Sequence, residues 1–319
     1  MTDVLVLRAL GLGDLLASVA ALRGLRRAWP DGRLVLAAPG EVGEWLVTLG
    51  VVDVAVAVRD LPDASRLASR VAPPAVAVNL HGRGPASHEA LTDVGAGRLV
   101  AYACPEAGHL DGPAWCQDEH EVDRWIRLSQ WAGGSAGAED LRLRAPAGRS
   151  DHVVVHPGAA APSRRWPAPR WAAVAAALTA RGHRVVVTGN REEAGLCAQV
   201  AAGAPGVEDL CGRLDLAGLG RLVGGAALVL SGDTGLAHLA TAFGTPSVSL
   251  FGPVSPALWG PRVDLDLHRV IWSGDAADPR PGDPHGAVVD PRLASIDVDE
   301  VVRASLAALG PHGPVVPGP

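Results

Sequence analysis

The chain has 319 residues, enough for two domains of ordinary size, and 48% of them are apolar, so a large core can form. A net charge of -6 with no basic run argues against a nucleic-acid partner. All 28 basic residues are Arg, which together with the Ala, Gly and Pro load reads as genomic base composition and carries no chemical meaning.

From the start of the chain, strand and helix patterns alternate. Val4 to Leu7 is a short apolar strand, and Gly11-Leu12-Gly13 is the turn after it. Asp14 then opens a helix with Leu15, Val19, Leu22 and Leu25 on one face and Arg23, Arg26 and Arg27 on another. Strands follow at Leu34 to Ala37, Val54 to Val58, Ala75 to Leu80 and Leu99 to Ala103, and a stronger helix at Glu119 to Trp131, with Val122, Trp125 and Ile126 inward. Arg144 to Ser150, rich in Ala, Pro and Gly, reads as a linker. After it come strands at His152 to Val155, Arg184 to Thr188, Ala227 to Leu230 and Ser247 to Phe251. Helices are expected at Arg170 to Arg181, Glu192 to Ala202 and Leu216 to Gly224, and a last one at Val298 to Leu309. Such alternation predicts parallel sheets covered by helices, here two doubly wound, Rossmann-like α/β domains facing a cleft, with ligands at the carboxyl ends of strands. The first domain is expected over 1–148, the second over 149–296, a final helix over 297–310, and a disordered tail over 311–319.

The most telling segment is Ser231 to Pro253, where a strand delivers Asp233, Thr234 and Gly235 to a helix start. Unpaired N–H groups and the positive end of the helix dipole suit a phosphate there. Thr234 can cap the helix, Gly235 lets a phosphate approach the backbone, and His238 shares that helix face four residues on. A second constellation is His156-Pro157-Gly158 followed by Arg164-Arg165-Trp166-Pro167, in which the two guanidinium groups either suit a pyrophosphate or form an exposed surface pair, and Trp166 packs. A third is Gly189-Asn190-Arg191-Glu192-Glu193, whose acids either favour a helix N-terminus or accept from ribose hydroxyls. Near the start, Gly13 and Asp14 form a tight turn, and Asp14 is either a helix cap or a carboxylate able to take a proton from an acceptor hydroxyl. His81 and Arg83, in Asn79 to Pro85, and His120, in Asp118-Glu119-His120-Glu121, are candidate acceptor or donor contacts, or else a surface turn and a charged cap.

Other patterns are weaker. Gly11-x-Gly13 invites a dinucleotide reading, but Leu16 stands where the third glycine belongs, and the second strand ends in Ala37-Ala38-Pro39, without a ribose-binding acid. Asp264-Leu265-Asp266 and Asp297-Val298-Asp299 could hold a divalent metal, but both lie away from the strand-end turns, and no metal is expected. Cys104, Cys116, Cys197 and Cys211 show no C-x-x-C spacing and are expected to be free buried thiols. Asp3 and Arg8 interrupt the early apolar run, and no uncharged window approaches a membrane span, so a soluble cytoplasmic protein is expected, with peripheral membrane contact left open.

Taken together the segments resemble glycosyltransferase family 9, the heptosyltransferase-like enzymes of GT-B fold. The resemblance rests on Leu10-Gly11-Leu12-Gly13-Asp14, on His156-Pro157-Gly158 with Arg164-x-Trp166-Pro167, on Gly189-x-x-x-Glu193, and on Asp233-Thr234-Gly235-x-x-His238-x-Ala240 running to Phe251-Gly252-Pro253. It implies inverting transfer of a sugar, typically from ADP-heptose, to an acceptor hydroxyl without metal or other cofactor. Asp14 falls at the family's base, Glu193 at the acid that binds donor ribose, Asp233 near the donor sugar, and Thr234 and Gly235 at pyrophosphate contacts. Arg164 stands where the family usually has a phosphate-binding Lys, so the charge is kept and the point-like ammonium is not. The last helix resembles the segment that crosses back onto the first domain. The acceptor, a glycan or small molecule, is not identified by any motif. A nucleotide-sugar-binding protein without catalysis and a nicotinamide-dependent oxidoreductase are the rivals; the intact Asp14 and Asp233 oppose the first, and Leu16 with the missing ribose acid opposes the second.

Overall fold

The computed structural model describes residues 3–310 apart from Ala147 and Arg149. Its contacts divide the chain between Leu141 and Arg142. In the first unit β1 (Asp3–Leu7) is followed by α1 (Leu12–Ala17), α2 (Val19–Ala28), β2 (Arg33–Ala38), α3 (Gly40–Thr48), β3 (Val54–Ala57), α4 (Leu61–Ala64), β4 (Val76–Asn79), α5 (Ala86–Thr92), β5 (Arg98–Val100) and α6 (Glu121–Trp131). The strands are parallel in the order β3-β2-β1-β4-β5. Val4 to Leu7 of central β1 are at most 1% exposed, which is why the run is apolar without alternation. Strand order reverses between β1 and β4, where Leu7 pairs with Asn79. The turns carrying Asp14 and His81 therefore leave the sheet side by side, at the switch point where α/β sheets bind ligands.

The second unit repeats the plan. β6 (Val153–His156), α7 (Ala168–Thr179), β7 (Val185–Val187), α8 (Ala194–Gly203), β8 (Glu208–Asp209), α9 (Leu216–Gly225), β9 (Leu228–Gly232), α10 (Gly235–Phe243), β10 (Ser247–Leu250), α11 (Pro256–Trp259), β11 (His268–Ile271), α12 (Pro291–Ser295) and α13 (Val298–Leu309) follow in order. Its parallel sheet runs β11-β10-β9-β6-β7-β8. Order reverses between β6 and β9, with His156 opposite Ser231. The loops holding Gly158 and Asp233 spring from that point. The core beneath packs Trp166, Trp171 and Val174 against Val153, Val155, Leu228 and Val248, so Trp166 is the packing residue the sequence implies.

Four expectations change. The first helix breaks at Ser18, whose hydroxyl and N–H both turn back to the Leu15 carbonyl, at 2.7 and 3.1 Å, in competition with the helix ladder. The two units part before the Pro/Gly stretch, because Arg142 pairs with Asp264 and the Leu143 N–H donates to the Ala242 carbonyl, both in the second unit. The last helix has the expected bounds, but its apolar face packs on the second unit: Val301 is in that core, with Val298, Val302 and Leu306 against it. Of the four free thiols, Cys104 and Cys197 are buried, while Cys211 is half-buried and Cys116 exposed. The expected disordered tail, 311–319, lies outside the described residues. Among the described residues no helix is long and apolar enough to cross a membrane.

Candidate functional site

Each unit presents a cluster of candidate side chains at its switch point. In the first, Gly11 caps α1, so Asp14 is the third residue of the helix and is no N-cap. Gly13 is its neighbour in that turn, and the Asp14 side chain is 32% exposed. Arg8 lies beside it, fully buried directly after β1. Arg8 Nε donates to the Asp14 carbonyl at 3.0 Å, Nη1 to the Leu80 carbonyl, and Nη2 to Glu121 Oε1 at 2.9 Å, while Asp14 Oδ1 is 3.5 Å from Nη2. Arg8 also stacks 4.7 Å from the Trp125 ring centroid. Glu121 is bound in turn by Arg124 and by Trp125 Nε1, the latter at 2.7 Å. Burial pushes the Glu121 carboxyl up, but the adjacent Arg8 and Arg124 charges outweigh it and hold it below the ordinary range.

The turn after β4 is fixed by Asn79, whose Oδ1 accepts from the His81 N–H at 3.0 Å and whose Nδ2 donates to Ser87 Oγ at 2.9 Å. Burial, then the Arg8 charge, lower the His81 imidazole to about 4, so it stays neutral at physiological pH. Its Nδ1 is buried without a hydrogen-bond partner. Arg83 is exposed on the same turn. His120 is the N-cap of α6, its Nδ1 accepting from the Val122 N–H at 3.2 Å.

In the second unit, the β6 loop approaches the end of β9. The Arg164 carbonyl passes so near Gly232 that a Cβ there would stand 3.1 Å from it. This close approach sets Arg164 Nη1 3.4 Å from the Asp233 carbonyl and 3.9 Å from its Oδ2. Arg164 Nε is buried with no hydrogen-bond partner. Thr234 is the N-cap of α10, its hydroxyl accepting from the Leu236 N–H at 3.2 Å, and Gly235 is the first helical residue. His238, one turn on, meets the edge of Trp259 with ring centroids 5.9 Å apart.

The turn after β7 is a capping box. Asn190 Oδ1 accepts from the N–H groups of Glu192 and Glu193, and Glu193 Oε2 accepts from the Asn190 N–H at 2.9 Å. The other Glu193 oxygen lies against Gly158, where a Cβ would be 2.0 Å from Oε1. His156 Nδ1 is 3.1 Å from Thr188 Oγ1, and burial holds its imidazole below the usual range, with Glu193 opposing. The structure thus gathers His156, Gly158 and Glu193 in one group and Arg164, Asp233, Thr234 and Gly235 in another at the same sheet end. Among the described residues no three His, Cys, Asp or Glu side chains gather as metal ligands. Asp264 is held by Arg142, and Asp297 caps α13.

Residues 128–276 match the family model described as Glycosyltransferase family 9 (heptosyltransferase). Over that stretch, just under half of the chain, the sequence is similar to glycosyltransferase family 9. Lipopolysaccharide heptosyltransferase 3 of Escherichia coli is 33% identical over 129 residues, 39% of this chain and 37% of that protein. Lipopolysaccharide heptosyltransferase 1 of Pseudomonas aeruginosa is 32% identical over 167 residues, 49% of this chain and 45% of that protein. The matched stretch is thus less than half the length of these curated relatives. Among solved structures, E. coli ADP-heptose lps heptosyltransferase II superposes with a TM-score of 0.77 at 21% identity, covering 96% of this chain and 98% of that one. At that identity the likeness is one of fold, and it identifies the two Rossmann-like units as those of GT-B.

Arg8 and Glu121, which stand beside Asp14, were missed by sequence reasoning. Arg8 was readable only as a charge ending an apolar strand, and Glu121 as a helix-opening acid. The available signal was the Glu121, Arg124, Trp125 spacing, which puts an acid, a cation and an aromatic on one helix face.

Proposed function

We propose that this protein is an inverting glycosyltransferase that moves heptose from ADP-heptose to a hydroxyl of a glycan or small-molecule acceptor, on the cytoplasmic side and without a metal. The observation that carries the reading is the Arg164 guanidinium against Asp233 at the start of α10, with its Nε unpartnered. A cation, first-turn N–H groups and a glycine make a cradle for a diphosphate. Asp233 would orient the donor sugar. Glu193 Oε1, which the cap bond does not use, would accept from the ribose hydroxyls.

Asp14 would take the proton as the acceptor O–H bond breaks. The acceptor oxygen then bonds to the anomeric carbon, and the bond from that carbon to the phosphate oxygen breaks with its electron pair leaving on ADP. Attack opposite the leaving group inverts the centre. Arg164 and the α10 N–H groups meet the charge growing on the departing diphosphate, the task a metal performs elsewhere.

The test incubates the protein with ADP-heptose and a cell extract, with and without a chelator, and measures product mass. A product heavier by one heptose, formed equally with chelator, is expected. Asp14→Asn should lower turnover by about 10²–10⁴-fold while leaving ADP affinity unchanged. Thermal stabilisation by NAD but not by ADP would refute the transferase reading, and full turnover by Asp14→Asn would leave Asp14 a merely structural residue.

A further inference from the structure

A buried guanidinium is tolerated only when its donors are answered, and one serving the fold alone is often replaceable by apolar side chains of similar volume. Arg8 is 0% exposed and holds Asp14 at two points, the backbone carbonyl through Nε and the carboxylate through Nη2. A third bond ties it to the Leu80 carbonyl, at the start of the turn that carries His81. Two acids then compete for one cation. Glu121, with only 8% of its side chain exposed, takes the bond of 2.9 Å, and Asp14 is left with the longer contact of 3.5 Å. Arg124 and Trp125 Nε1 hold Glu121 in that place, and the Trp125 ring covers the Arg8 plane.

We propose that Arg8 is the positioning residue for proton transfer, aiming the Asp14 carboxylate from both its backbone and its side chain, and that Glu121 sets how much of the Arg8 charge Asp14 feels. This rests on the reading of Asp14 as the base. With Glu121 in place, Arg8 orients the carboxylate without neutralising it as a proton acceptor. Without Glu121, Arg8 pairs fully with Asp14 and makes it a weaker base. Without Arg8, Asp14 loses the contacts to its carbonyl and its carboxylate together. Among the described residues, the charged and titratable groups of this network include Arg8 from the end of β1, Glu121 and Arg124 from α6 with His120 at its N-cap, and His81 from the turn after β4, with exposed Arg83 farther along that turn. His81 is uncharged above about pH 4 and adds no second titration in the neutral range.

The test compares Arg8→Met, Arg8→Lys, Glu121→Gln and Asp14→Asn in the full chain. ADP release from ADP-heptose is followed against pH with the extract fraction that supports turnover, and ADP affinity is measured by calorimetry. Arg8→Met is expected to lower kcat by about 100-fold and to raise the acid limb of the pH profile by about one unit, with the KM for ADP-heptose and the Kd for ADP unchanged. Arg8→Lys should restore the limb but not the full kcat, since an ammonium cannot grip both points. Glu121→Gln should move the limb the opposite way, to lower pH. If Arg8→Met does not melt cooperatively, Arg8→Lys and Glu121→Gln carry the test. A limb that stays in place in every variant, or that moves the same way in Arg8→Met and Glu121→Gln, overturns the proposal while an inactive Asp14→Asn leaves the base reading standing. An active Asp14→Asn overturns both.

Discussion

Replacing Gly158 by Ala separates a structural from a binding role for Glu193. A Cβ at 158 would stand 2.0 Å from Glu193 Oε1 and 2.2 Å from its Cδ, so one group must move. The backbone cannot move easily, because Gly158 lies just beyond β6, which is paired on both sides, with β7 and β9. The carboxylate is the end of a flexible side chain and swings out, giving up its 2.9 Å bond from the Asn190 N–H. Half of a capping box is then lost, at about 1 kcal/mol, and an off-rotamer side chain adds up to about 1 kcal/mol more. For a unit of this size, about 1–2 kcal/mol lowers Tm by about 2–8 °C. If Glu193 binds ribose, its displacement also removes a charged hydrogen bond of about 1.5–3 kcal/mol, or an ADP affinity loss of about 10–150-fold. The assay is a double-mutant cycle with Glu193→Ala, read by thermal melting and by ADP calorimetry. Once the carboxylate is gone the added methyl has room, so Gly158→Ala on that background should cost under about 0.5 kcal/mol in either readout. Additive losses, or an unchanged ADP affinity in Gly158→Ala alone, would refute the reasoning.

Two further outcomes are expected. Arg164→Ala should weaken ADP binding by about 10–100-fold, and Arg164→Lys should recover part of it because the charge returns without the second donor; calorimetry showing unaltered affinity in Arg164→Ala would remove this residue from the phosphate site. His81 titrates at about 4 in the fold against 6.5 for a free imidazole, so its contribution to stability is complete above about pH 6.5 and is lost as pH falls toward 4. Partial exposure discounts the effect to about 1 kcal/mol. Denaturant melts from pH 7.5 to 4.5 should therefore show a steeper loss for the unaltered protein than for His81→Asn, and equal slopes would contradict it.

The sheet plan was legible because buried parallel strands must be apolar runs, and Val4 to Leu7, Val153 to Val155 and Ala227 to Leu230 have no other use. The short β8 and the polar-edged β11, Glu208–Asp209 and His268–Ile271, were not legible, since two residues or a half-polar run carry no period. The proposed donor half-site was legible because its residues sit in short motifs on strand-end turns, where a glycine and a charge within a few positions suggest a ligand. The surroundings of Asp14 were not, because Arg8 and Leu80 come together only through the β1–β4 pairing and Glu121 only through the packing of α6.

By itself, then, the sequence determined two strand-helix alternations and the turns on which Asp14, Gly158, Glu193 and Asp233 lie, since these depend on periodicity and local backbone chemistry. Only the tertiary structure decided that Arg8 is shared between Asp14 and Glu121, that the Glu193 carboxylate fills the space a side chain at 158 would need, and that the last helix packs on the second unit. Each of these is a contact between segments far apart in the chain, chosen by volume and charge balance, to which local sequence pattern is blind.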